Sequence, residues 1–408
     1  MERAALAVAL LALLAAPSPL PVLDGWACLR GTHVAVCWPQ GGERPDNLVS
    51  IIEAADSAYL AVREHFGDLS PREVEVRVDP SAEYPYEDVS EGEPVVVVPP
   101  ENATDRSTLV HEMAHAFADH AAGIMYTFPG DPSHLLCEGP STYLERVEAG
   151  GEYAAAIGVL AILTEGEPSR EGLLDYDADF YSYGYAYWQM KRFVEEFGWD
   201  SYLSLLRGVR ERLEEWGVYD EVYPDEPGMA FGYQRLALEE SFREVTGLDL
   251  VEWSEGLEEW MCRRVGPLRI EMEVVDHREL EGVVEATVEV RVEDPAGILE
   301  RLYLDYGDED SLAWPGGRAK VVVLPGMNLA GFLRFVFRVD GEEIDTESVW
   351  YSYQLGDLFP YLYPGVRDRV VIELAPPCSP PAGWGAVSYT HLRAHETEAD
   401  LVCRLLLE

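Results

Sequence analysis

His111, Glu112, Met113, Ala114 and His115 spell H-E-x-x-H. On an α-helix, residues four apart lie only about 40° apart around the axis, so both imidazoles can reach one cation. Glu112 sits about 100° round from His111, beside the cation rather than on it. Two neutral nitrogen donors and a carboxylate placed to take a proton from water are the working parts of zinc-assisted hydrolysis. With nine histidines in the chain, chance produces such a string on the order of 1% of the time. Its neighbours therefore decide its meaning.

The segment needs a helix, and the surrounding residues supply one. Leu109, Val110, Met113, Ala114 and Phe117 make an apolar face at helical spacing, and Thr104 or Asp105 can cap its start. Downstream, residues 135–145 read LLCEGPSTYLE. Together with HEMAH this resembles the gluzincins, the thermolysin-like and M1-like zinc metallopeptidases, in which a glutamate on a second helix completes the site. The resemblance spans about residues 45–262 and is dense at 108–145 and 180–200. It implies that His111, His115 and Glu138 bind Zn2+, with water in the fourth position. His134 is the rival third ligand and would make a three-histidine site. His120 lies five residues past His115, about 140° round the helix, and should point away. Asp119 is i+4 from His115 and Glu145 is i+7 from Glu138, so either can hold the free N–H of a ligand histidine.

Tyr181, Ser182, Tyr183 and Gly184 form a Y-x-x-G stretch. It is similar to the M1-like motif whose tyrosine hydrogen-bonds the reaction's oxyanion, which implies that role for Tyr181, with Tyr183 as the alternative. The G-x-M-E-N segment that grips a free amino terminus in M1 aminopeptidases is missing, so endopeptidase is the expected activity.

Around these motifs, Asp46–Phe66 predicts a helix stopped by Gly67, and 73–78 and 94–98 predict strands. Residues 134–165, 182–215 and 239–261 read as mainly helical. From Gly266 the pattern changes to period-two alternation, as in Leu268, Ile270, Met272 and Val274. The stretch Leu304–Asp308 faintly resembles a turn of polycystic-kidney-disease-type Ig-like domains. The predicted fold class is α+β: a gluzincin-like metallopeptidase domain of a small sheet plus helices at 21–265, followed by an all-β Ig-like sandwich at 266–375.

The 408 residues carry 75 acidic and 30 basic side chains, a formal net charge of −45. Such a surface repels nucleic acid and anionic membranes. Residues 1–20 contain a short apolar run, AALAVALLALLAA, that reads as a signal peptide and predicts a secreted or cell-surface protein. Residues 376–386 read as a Pro-rich linker. Residues 387–408 match what a common sequencing adapter encodes and are set aside, with His391, His395 and Cys403. Of the remaining cysteines, Cys28 and Cys37 are expected to bridge a hairpin, Cys137 could pair with Cys262, and Cys378 is left over.

These features predict a secreted, monomeric zinc peptidase acting on a peptide or protein substrate, with Glu112 as general base. The competing expectations are a non-catalytic surface binding or adhesion protein on the same scaffold, and a zinc hydrolase of a non-peptide bond.

Overall fold

The computed structural model describes residues 22–23, 25–90, 93–124, 134–164, 180–219, 227–304, 316–346 and 359–377. The expected signal peptide, the 387–408 tail, most of the linker and the Asp305–Asp308 turn lie outside them. The chain divides into two compact units, one of residues 1–154 and 169–257, the other of 155–168 and 258–408.

The first unit is built on a six-stranded sheet. Its strands are β1 (Val22–Leu23), β2 (Trp26–Arg30), β3 (Val34–Pro39), β4 (Val74–Val78), β5 (Tyr86–Ser90) and β6 (Glu93–Val98), in the order β1-β2-β3-β4-β6-β5. The three central strands β3, β4 and β6 run parallel, and β5 closes one edge antiparallel. A parallel pair needs a crossover, and α1 (Leu48–Phe66) supplies it between β3 and β4. Strand β6 is apolar throughout Val95–Val98 because both of its faces are buried.

Val34, Val36, Val74, Val76, Val96 and Val98 turn toward the helices. There they share one core with Ile51, Ala55 and Tyr59 of α1 and with Leu109, Met113 and Phe117 of α2 (Arg106–Ala122). The motif helix thus lies directly on the sheet. Asp105 accepts a hydrogen bond from the Thr108 N–H at 2.8 Å, settling which residue caps it. At the other end Gly123 takes φ 67°, where a side chain would be strained.

Along the chain after α2 come α3 (Glu138–Leu144) with a π-helical turn at Glu145–Ala149, α4 (Tyr153–Thr164), α5 (Phe180–Phe197), α6 (Trp199–Glu215), α7 (Pro227–Thr246), α8 (Leu250–Glu255) and α9 (Leu257–Cys262). No single helix among the described residues is long and apolar enough to cross a membrane.

The β-rich part of the second unit has two antiparallel sheets. One is ordered β10-β8-β7-β13, from β7 (Leu268–Leu280), β8 (Val283–Glu293), β10 (Gly316–Val323) and β13 (Arg369–Leu374). The other is ordered β12-β11-β9, from β9 (Leu299–Leu304), β11 (Leu333–Val339) and β12 (Glu342–Asp345). The alternation expected after Gly266 is realised: Leu268, Ile270 and Met272 are buried on β7, as are Val284, Ala286, Val288 and Val290 on the neighbouring β8.

Cys28 and Cys37 are register partners on β2 and β3 and form the expected disulfide. The Cys137–Cys262 bridge does not form. Cys137, at the start of α3, is not in a disulfide, whereas Cys262 is disulfide-bonded elsewhere. Sequence order alone carries no distance between α3 and α9, so the pairing was not decidable from spacing.

Candidate active site

One turn of α2 carries both motif histidines on the same side. Their rings meet edge to face, with centroids 4.9 Å apart and the two Nε2 atoms 3.2 Å apart. The third group arrives from α3. Its first residue, Glu138, places Oε2 3.3 Å from His111 Nε2 and 3.4 Å from His115 Nε2. Among the described residues this is the group of three whose donor atoms converge closely enough for one metal ion.

The local sequence explains why Glu138 can approach. The Gly139 N–H donates to the His134 carbonyl at 2.6 Å, and a Cβ at Gly139 would stand only 2.2 Å from that oxygen. The same Cβ would also meet the Ala186 carbonyl at 3.3 Å, so glycine lets α3 close onto both its own preceding turn and α5. Tyr202 of α6 fixes the approach by donating its hydroxyl to the Leu135 carbonyl at 2.9 Å. His134, the rival ligand, is fully buried beneath this turn and is not a member of the donor group.

The three donors fit a tetrahedral zinc ion. Zinc bonds of about 2.0–2.1 Å to imidazole and carboxylate imply donor–donor separations of about 3.3–3.5 Å, against the 3.2, 3.3 and 3.4 Å found here. Glu138 Oε2 is buried and makes no hydrogen bond. A buried carboxylate oxygen without a donor is costly, and a cation between the three atoms satisfies it.

Electrostatics point the same way. Burial opposes the charged form of His111, yet the Glu138 and Glu145 carboxylates beside it raise its pKa well above the ordinary histidine value. His115 is raised too, with burial again opposing and the Glu138 charge prevailing. Burial pushes the Glu138 carboxyl up, but the two imidazoles hold it far below the usual carboxylate range. The neighbouring carboxylates thus favour the protonated imidazoles, and a metal ion can take the place of those protons. Glu112 is 7% exposed, and its pKa is raised chiefly by burial, partly offset by the two histidines. That moves it toward the range useful to a general base.

Glu145, one of the two carboxylates expected to hold a motif histidine, lies against His111. Its Oε2 lies 2.9 Å from His111 Nδ1, and the other ring nitrogen, Nε2, faces Glu138. Asp119 is buried, and its charge adds to burial in raising the pKa of Tyr202. Ser107, which sequence reasoning missed, donates its hydroxyl to Glu145 Oε1 at 2.7 Å. Its position four residues before His111 on one helix face was the available signal.

Tyr181 lies in the first turn of α5, and its side chain is outside the described residues. Tyr183 is placed beside the site: its ring is near-parallel to that of His111, with centroids 6.2 Å apart.

No family profile matches the chain, and no curated protein does. Solved structures are similar to it at low identity. Yeast leukotriene A4 hydrolase is 14% identical, with 51% of this chain and 38% of that one covered at a TM-score of 0.31. An M1 zinc metallopeptidase from Deinococcus radiodurans is 14% identical, with 52% and 51% covered at 0.30. A metallopeptidase from Bacteroides thetaiotaomicron is 11% identical, with 79% and 66% covered at 0.30. The chain thus spans little more than a third of the yeast enzyme's length. The functional reading rests on the geometry of the chain's own residues.

Proposed function

We propose that this chain is a secreted zinc peptidase, an endopeptidase that acts as a monomer on peptide or protein substrates. The observation that carries the reading is the convergence of His111 Nε2, His115 Nε2 and Glu138 Oε2 at tetrahedral spacing, beside the buried carboxylate of Glu112. When bound, zinc supplies Lewis acidity, polarising a carbonyl and lowering the pKa of water toward about 7.

The remaining roles belong to the protein. His111 and His115 give up their Nε2 protons and hold the ion, and Glu138 contributes the negative charge. Glu112 accepts the proton of the attacking water and passes it to the leaving nitrogen. A tyrosine of the 181–184 stretch donates its hydroxyl to the developing oxyanion. Tyr181 has the motif position, while Tyr183 has the observed place beside His111. Phenylalanine variants of each separate them: the donor's loss lowers kcat far more than KM, and a variant that leaves kcat unchanged excludes its tyrosine.

The intact Glu112 favours this reading over a non-catalytic adhesion protein, since a binding role has no use for a base. The β-rich unit is proposed as an Ig-like module. The deciding experiment is a cleavage profile of purified protein on a mixed peptide pool, with and without chelator. Chelator-sensitive internal cleavage supports the proposal. Zinc uptake with no cleavage of any peptide sinks it and leaves binding, or hydrolysis of another bond, to be tested.

A further inference from the structure

The carboxylate of Glu145 is held at both ends by one helix. Its Oε2 receives the His111 Nδ1 proton at 2.9 Å and its Oε1 the Ser107 hydroxyl at 2.7 Å. Both donors stand on α2, four residues apart, so they face the same way. A carboxylate tied at one oxygen can still swing about its side-chain bonds; tied at both, it has one orientation.

The backbone behind Glu145 is shaped to leave that orientation room. The π-turn Glu145–Ala149 ends at Gly150, which takes φ 76° as its left-handed cap. The chain then folds back so that the Gly151 N–H donates to the Glu145 carbonyl at 3.2 Å. A Cβ at Gly151 would lie 2.6 Å from Glu145 Oε1, 2.7 Å from Cγ and 2.8 Å from Cδ. Gly151 does not itself sit in the left-handed region, so glycine there serves space and not backbone conformation. The turn is pinned from outside as well. Arg106 donates to the Glu148 carbonyl at 3.1 and 3.2 Å and to Ser57 Oγ at 2.9 Å, while His65 lies 2.7 Å from Glu148 Oε1. Single π-turns inside helices are uncommon and recur at functional sites.

We propose that Ser107 and Gly151 are positioning residues of the metal centre, acting through Glu145. Ser107 fixes the carboxylate by its second oxygen, and the bare Cα of Gly151 leaves the space it fills. Glu145 then keeps the proton on His111 Nδ1, and the Nε2 lone pair faces His115 and Glu138. The inference rests on the zinc-site reading and extends it outward by one layer.

The test uses full-length Ser107→Ala, Ser107→Thr, Gly151→Ala and Glu145→Ala proteins with two readouts. The first is zinc affinity by chelator competition. Loss of a partner that orients a ligand histidine costs about 10- to 100-fold in affinity, so Glu145→Ala should fall in that range. Ser107→Ala and Gly151→Ala should each weaken zinc by roughly tenfold, its lower end, and Ser107→Thr, which keeps the hydroxyl, should restore it. The second is the His111 ring nitrogen spectrum of the metal-free protein by 15N NMR. Ser107→Ala and Gly151→Ala should shift the Nδ1–H resonance, which a change in global stability alone would not do. Zinc affinities within twofold of wild type, together with an unmoved His111 resonance, overturn the proposal. If Gly151→Ala does not fold, the Ser107 pair still decides. A wild-type protein that binds no zinc fails the peptidase reading, whereas the metal-free NMR comparison still tests the positioning chain.

Discussion

Two glutamates in this protein are each surrounded by nitrogen cations, and only one of them builds a site. Glu138 faces His111 and His115. Glu271, near the start of β7, faces Arg369 at 2.8 Å, Arg291 at 3.0 Å and Arg269 at 3.8 Å. Both carboxyls are held below their ordinary pKa. Two imidazoles overcome burial at Glu138, and the Arg369 hydrogen bond leads at Glu271. The difference is in what the cations can give up. Guanidinium has no lone pair and keeps its proton. The arginines around Glu271 spread into a lattice over the exposed sheet face, reaching Glu289, Glu293 and Glu373. Imidazole can lose its proton and turn a lone pair on a metal. A depressed carboxylate pKa marks a cation nearby; an exchangeable cation marks a candidate site.

The sharpest way to break this contrast is at Glu112. Glu112→Gln should keep zinc and lose peptide turnover by about 10²- to 10⁴-fold, the usual worth of a general base; near-normal turnover on a peptide library removes the hydrolytic mechanism. Next, Glu138→Ala should lose stoichiometric zinc by elemental analysis, while Glu271→Ala keeps it. Equal zinc content in the two variants would erase the distinction.

The pH dependence should separate the regions further. Each proton displaced from His111 or His115 contributes up to about tenfold in zinc affinity per pH unit, so affinity should climb as pH rises toward their raised pKa values. The metal-free cluster runs the other way. A histidine whose folded pKa is raised contributes stability that is complete below about pH 6.5 and lost as pH rises through the folded pKa. Thermal melts of metal-free and zinc-loaded protein should therefore diverge with increasing pH; parallel curves contradict the cluster's proton–metal exchange. The smallest effect is expected at Glu271→Gln. Its lowered pKa contributes stability only above the ordinary carboxylate value, lost as pH falls through the folded one. At neutral pH the variant should melt slightly lower, and the gap should close with added salt, because its arginine partners are more than half exposed at Arg291 and Arg369.

Much of the first unit was legible in residue order. The run Leu48–Phe66 stops where Gly67 takes φ 58°, and the motif helix begins at a side chain that can cap it. These are local rules, settled within a turn or two of chain. The β2–β3 disulfide was legible for the same reason, since nine residues and a Gly-Thr turn already bring Cys28 to Cys37. The edge strand β5 was not read. Its Tyr86–Ser90 segment pairs with β6 across a short connection, and exposed strand residues carry little periodic signal. The π-turn left no trace either, because an extra residue in a helical turn does not alter the apolar pattern enough to see.

By itself the sequence determined the chemistry available: two imidazoles four residues apart, a carboxylate between them, and a glutamate followed by glycine. Spacing on one helix fixes direction, because the backbone geometry repeats. Only the tertiary structure brings Glu138 Oε2 within 3.3 and 3.4 Å of the two motif imidazoles. It also decided that Glu145 Oε2 stands 2.9 Å from His111 Nδ1, and that Cys137 is not in a disulfide. Each of those choices depends on the distance between α3 and elements far from it in the chain. That distance is set by how α2, α3 and α5 close on one another, and the close approach at Gly139 shows how little slack it has.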